Sequence, residues 1–172
     1  MKKNCLMTHI VGGYPTVAES EKIAQTMLQN GVHFLEIQIP FSDPIADGTT
    51  IAKANQVALE KNVTPDDCIA LLKRLKKITT VPLLLMTYYN IPFRYGLAKF
   101  CKNAKKAGCY GMIIPDIPID EENQEHYIKT CKKEGLHPIQ VISPLTPEKR
   151  LKKIGQVTSG FVYCVARLGT TG

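Results

Sequence analysis

The stretch HFLEIQIPFSDPIADGTT, residues 33–50, opens as an alternating strand and closes as a polar, Pro- and Gly-bearing loop. Side chains alternate faces along a strand, so Leu35, Ile37 and Ile39 on one face send Phe34, Glu36 and Gln38 to the other. In a barrel of parallel strands that other face is the closed interior. A carboxylate among apolar groups has its charged form disfavoured and its pKa raised, which suits a proton carrier. Beyond the strand, Pro40-Phe41-Ser42-Asp43-Pro44 is rigid turn chemistry. Ala46-Asp47-Gly48 then brings a second carboxylate near the strand's carboxyl end. Taken singly, Glu36 reads as a satisfied buried acid and Asp47 as the cap of a helix starting near Thr49. Taken as a pair at one strand end, they read as an acid and base.

Outward from this stretch the chain repeats a short apolar run and an amphipathic helix, with a period near 30 residues. Strands are expected at about 6–11, 33–39, 81–86, 111–114, 138–142 and 160–165. Helices are expected at 17–30, 49–61, 65–77, 95–107, 121–134 and from 146 onward, and Tyr88-Tyr89-Asn90-Ile91-Pro92 reads as a loop. Regular alternation implies parallel pairing with right-handed crossovers. No G-x-G-x-x-G follows the first strand, which counts against a dinucleotide fold. Polar loops after nearly every strand favour a (β/α)8 TIM barrel, whose chemistry sits at that face. The 172 residues form one domain, 1–172, containing units 1–6 of such a barrel. A barrel typically takes about 250 residues, so about 80 more are expected beyond Gly172 in the native protein.

Composition narrows the function. Hydrophobic content of 44% and charged content of 22% are ordinary for a globular domain. No apolar run approaches the roughly 18 residues that span a bilayer, and the short run after Met1-Lys2-Lys3 lacks a cleavage site, so cytoplasm is expected and no membrane. Cysteines 5, 68, 101, 109, 131 and 164 include no C-x-x-C pair, and no histidines stand at zinc spacing. They read as free thiols, with no metal site. The net charge of +7 gathers in 73–77, 102–106, 132–133 and 149–153. These runs are expected at helix ends, where cations suit the dipole, and without interleaved aromatics they do not indicate nucleic acid.

The segment LEIQIPFSDPIADG, residues 35–48, closely resembles the signature of the tryptophan synthase alpha chain family. The resemblance continues through Gly13-Tyr14-Pro15, Met86-Thr87-Tyr88-Tyr89-Asn90, Ile114-Pro115-Asp116-Ile117-Pro118 and the terminal Arg167-x-Gly169-x-Thr171-Gly172. It implies a carbon–carbon lyase that cleaves indole-3-glycerol phosphate to indole and glyceraldehyde 3-phosphate in tryptophan biosynthesis. It implies no cofactor in this chain and an α2β2 complex, whose beta chain carries pyridoxal phosphate. The family's catalytic acid and base fall on Glu36 and Asp47. Thr171 would close over Asp47, with Tyr163, Ile113 and Val141 lining the indole pocket and Tyr88 beside it. Pro40, Phe41, Asp43, Asn90 and Pro118 would dock the beta chain from exposed loops. The family's phosphate site is built from loops after strands seven and eight, so no phosphate-binding residue is named.

Three positions depart from the family pattern. Gln38 stands where Gly is usual, close enough along the interior face to hydrogen-bond Glu36. Thr49 replaces Pro after Ala-Asp-Gly, and His9 falls where a Phe usually contacts the indole. These departures leave open an alternative, a catalytically weak or inactive alpha-like subunit that binds and activates the beta chain. A different barrel enzyme acting on another phosphorylated metabolite is a further rival. A strand-borne lysine or acids at the ends of strands one and five would favour it, and the sequence has neither.

Overall fold

A computed structural model describes residues 4–166. Six strands, β1 (Met7–Val11), β2 (Phe34–Gln38), β3 (Leu83–Met86), β4 (Gly111–Ile113), β5 (His137–Ile142) and β6 (Val162–Cys164), form one sheet in the order β1-β2-β3-β4-β5-β6. Every pairing is parallel. The helices are α1 (Val17–Gln29), α2 (Thr49–Glu60), α3 (Pro65–Lys76), α4 (Asn90–Tyr95), α5 (Leu97–Ala107), α6 (Glu122–Glu125), α7 (Tyr127–Lys133) and α8 (Glu148–Val157). Sequential order with helical crossovers is the winding of a TIM barrel, here as six of its βα units.

Each face of the sheet has its own apolar cluster. Leu35, Ile37 and Ile39 pack outward with Leu72, Leu75, Phe100 and Ala104 from the helices. The inner face gathers Leu84, Met86, Ile113 and Ile139, with Phe34, Val141, Phe161 and Tyr163 packed against them. Alternation in residues 34–38 therefore sorts the side chains as expected. At burial of roughly 1.5–3 kcal/mol per large apolar side chain, the outer cluster holds the helices to the sheet. The α3 start shows how local sequence fixes the crossovers. Thr64 accepts from Asp67 N while Asp67 accepts from Thr64 N, and Pro65 occupies the first helical position. Gly111 is required at the β4 start, because a Cβ there would stand 2.5 Å from the His137 carbonyl oxygen on β5.

Three expectations are corrected. Residues 88–92, read as a loop, contain the start of α4. Pro92 sits in that helix's first turn, where its missing N–H has no intrahelical partner to lose. The single helix over 121–134 is two helices, broken at His126 with φ 54°. The Glu122 carboxylate accepts from Ile128 N at 2.7 Å and Lys129 N at 2.8 Å, satisfying donors that the break exposes. The basic run at 149–153 lies in the first half of α8, the unfavourable end for cations. Asp120 offsets it, accepting from Arg150 at 2.7 Å and Lys153 at 2.8 Å. The runs in α3, α5 and α7 do fall in last turns.

Among the described residues no helix is long and apolar enough to cross a membrane, and no cluster of three or more His, Cys, Asp or Glu stands ready for a metal. Cys68, Cys101, Cys109 and Cys131 are buried thiols, and burial pushes Cys68 and Cys109 up to about 12.

Candidate active site

Glu36 projects from the middle of β2 into the space enclosed by the sheet, as its strand parity dictates. It is only 6% exposed and lines a cleft of about 190 Å³ with His9, Gln38, Asp47, Met86, Ile113, Val141 and Tyr163. No hydrogen bond among the described residues holds its carboxyl. Burial pushes its pKa up to about 7, and the nearby Asp47 carboxylate adds to the rise. Desolvation dominates, the condition for an acid that keeps its proton near neutrality yet can release it. Tyr163, from β6, lines the same cleft and has its hydroxyl shifted upward by burial and then by the Glu36 charge.

Asp47 reaches the same cleft from the loop after β2. The loop is built by a turn, Asp47 N donating to Pro44 O at 3.0 Å, and by Ala46 N donating to the Tyr88 hydroxyl at 3.0 Å. Asp47 is not the cap of α2. Gly48 takes that position with no side-chain hydrogen bond, which leaves the Asp47 carboxylate free to face the cleft. One of its oxygens accepts from Gln38 Nε2 at 2.6 Å. Gln38 does not bond Glu36, as its shared strand face suggested. Its oxygen instead meets His9 Nε2 at 2.8 Å, so one buried amide spans from β1 to the β2–α2 loop.

His9, Ile113, Val141 and Tyr163 line the cleft with the two carboxylates. Burial lowers the His9 pKa, partly opposed by its Gln38 bond and the Asp47 charge, which favours the neutral imidazole. Thr171 lies outside the described residues. Tyr88 is fully buried beneath the loop, in the same apolar cluster as Met86 and Ile113 and stacked on Phe41 with ring centroids 5.2 Å apart. Its hydroxyl is pushed up by burial. Tyr88→Phe is therefore expected to cost about 1–3 kcal/mol by leaving the Ala46 N–H without its acceptor. It should also slow any turnover that depends on Asp47. A urea midpoint equal to that of the parent protein would contradict this role.

The expected docking loops divide. Asp43, Asn90 and Pro118 are exposed, Phe41 is half-buried against Tyr88, and Pro40 is buried, so Pro40 offers no surface. Phe41 also supports the fold, which its exposed reading missed.

Sequence reasoning passed over Asn55. This α2 residue accepts from Phe41 N at 3.0 Å and donates to Ile51 O at 2.9 Å, with Gln38 Nε2 at 3.4 Å from its oxygen. It is buried and ties the end of β2 to α2. Its signal was a polar residue on the apolar stripe formed by Ile51, Ala54 and Ala58.

Comparison with known proteins bears on this geometry. The family model for the tryptophan synthase alpha chain matches residues 1–172. The chain belongs to the tryptophan synthase alpha chain family. A relative described as tryptophan synthase alpha chain in Syntrophotalea carbinolica is 44% identical over 167 residues, covering 97% of this chain and 65% of the relative. Another, from Desulfotalea psychrophila, is 42% identical with the same coverage, 97% of this chain and 65% of the relative. The chain thus spans 65% of the length of both relatives. Among solved structures, tryptophan synthase of Mycobacterium tuberculosis superposes with a TM-score of 0.91 at 31% identity, covering 98% of this chain and 64% of that one. An Aquifex aeolicus VF5 structure gives 0.91 at 38% identity, covering 96% and 65%. Membership in the family carries the (β/α)8 barrel with it, and the six parallel strands are its βα units.

Proposed function

We propose that the chain carries the acid–base site of a lyase that cleaves indole-3-glycerol phosphate to indole and glyceraldehyde 3-phosphate. The observation that carries the reading is Glu36, a buried carboxyl held near pKa 7 in a cleft walled by apolar side chains and facing a second carboxylate. Breaking the bond between indole C3 and the glyceryl carbon requires a proton on C3, which loads positive charge onto the ring. Protonated Glu36 gives that proton. As the carbon–carbon bond breaks, its electron pair returns to the ring and the glyceryl hydroxyl becomes an aldehyde. The Glu36 carboxylate then takes the hydroxyl proton and is restored. Asp47, on the loop, stabilises the charge developing at the indole N–H. Met86, Ile113 and Val141 supply the apolar wall for the ring.

These steps are proton transfers, so the reading calls for no cofactor in this chain. Pyridoxal phosphate belongs to the proposed beta-chain partner of an α2β2 complex, docked through Asp43, Asn90 and Pro118, in the cytoplasm. Indole and glyceraldehyde 3-phosphate appearing in equal amounts from indole-3-glycerol phosphate is the expected result with purified protein. Substrate lost no faster than its uncatalysed rate of decay would refute the reading.

A further inference from the structure

Among the residues that line the cleft, Gln38 is held by neighbours that do not hold Glu36. It is fully buried, and its amide is oriented without ambiguity. A carboxylate only accepts, so the group 2.6 Å from Asp47 must be the amide nitrogen. The amide oxygen then faces His9 Nε2 at 2.8 Å, and an oxygen only accepts. His9 must therefore carry its proton on Nε2. In the neutral ring, the form that burial favours, the other nitrogen, Nδ1, is left as an acceptor. Asn55 Oδ1, from α2, stands 3.4 Å from Nε2 as a second acceptor for the amide.

We propose that Gln38 is a positioning residue: its amide holds the Asp47 carboxylate in one orientation over the cleft and fixes His9 as the Nε2–H tautomer. The proposal rests on the lyase reading for its kinetic consequence and on geometry alone for its structural one. One oxygen of Asp47 accepts from Gln38, and the Tyr88 hydroxyl also bonds the carboxylate, so the amide is one of two groups that set its orientation. Asp47 is carried on a loop rather than a strand, so without the amide its side chain has several rotamers to choose from. Misplacing a reacting group by about 1 Å can cost on the order of 10²-fold in rate. The His9 end gives the same residue a second effect. A ring with a fixed tautomer presents one defined acceptor to the pocket, which favours a ligand carrying an N–H or O–H at that wall.

The test is Gln38→Met, close in length and volume but without either hydrogen bond. In the native protein, kcat for indole release is expected to fall about 10–100-fold with KM changed less than about 3-fold, since the apolar walls are untouched. The ¹⁵N spectrum of the His9 ring is expected to show a single Nε2–H tautomer in the parent protein and a mixture in the variant. A merely structural Gln38 would not move that signal. Gln38→Leu, slightly smaller and apolar, serves if the Met variant does not fold. It has no donor to offer Asp47 and is expected to lose turnover likewise. Parental kcat in a folded variant overturns the positioning of Asp47, and an unchanged tautomer overturns that of His9. Absence of turnover in the parent protein would count against the lyase reading instead, and the ¹⁵N spectra would still decide the geometry.

Discussion

Glu36→Gln is expected to lower indole release about 10²–10⁴-fold and, at the same time, to make the protein more stable above neutral pH. Both effects come from one burial. The folded protein holds the Glu36 carboxyl at a pKa of about 7, against 4.5 as its ordinary value. Between those two pH values the folded state keeps a proton that the unfolded chain has released. Stability from this group is therefore fully present below about pH 4.5 and is lost as pH rises through about 7. By pH 8 the ionised carboxylate costs the folded state about 3 kcal/mol. Glutamine stays neutral at every pH and does not incur that loss. It removes the transferable proton while changing little volume. The stability gap between variant and parent should thus grow in the variant's favour from pH 4 to pH 8, shifting relative melting temperatures by several degrees. Turnover near the parent's, or a gap that does not change with pH, would remove Glu36 from the proton carrier's role.

Asp47→Asn is expected to lower turnover by about 10²–10³-fold, the scale of losing one preorganised electrostatic partner in a site that excludes water. The amide retains an oxygen that can accept from Gln38, so the loop stays anchored and the folding free energy should change by about 1 kcal/mol or less. The substituted residue is isosteric but lacks the charge that the proposed mechanism sets against the indole N–H. Loss of binding without loss of kcat would place Asp47 in ground-state recognition only. Comparison with Gln38→Met separates charge from placement, since that variant keeps the carboxylate and loses its brace.

Much of this site was legible in residues 33–50. Strand parity alone put Glu36 and Gln38 on the interior face and Leu35 and Ile37 on the outer one. Proline and glycine after Ile39 marked a loop at the strand's carboxyl end. The partners of those side chains were less legible, because they come from distant elements. Gln38 shares its strand face with Glu36, yet its amide turns to Asp47 and His9, which a one-strand reading does not reach. Tyr88 lies 42 residues from Ala46, and only the folded loop shows that its hydroxyl is an acceptor there. Asn55 is a lone polar residue on an apolar stripe, a pattern that becomes a clue only once α2 is aligned with the end of β2. The break at His126 carries no proline or glycine to announce it. It is stabilised by the Glu122 carboxylate, whose role depends on the fold around it. Pro92 misled in the opposite direction, because proline is tolerated in the first turn of a helix as readily as in a loop.

The central claim is that one buried carboxyl, ionising near neutrality, drives cleavage of indole-3-glycerol phosphate. The pH profile of kcat/KM for indole release by the purified native protein tests it most directly. With Glu36 required in its protonated form to start the reaction, kcat/KM should be at its highest on the acid side of about pH 7. It should fall about tenfold per pH unit on the alkaline side, with the descending limb missing from whatever residual activity Glu36→Gln retains. A profile that stays level through pH 9, or no indole above the uncatalysed rate at any pH, would contradict the account.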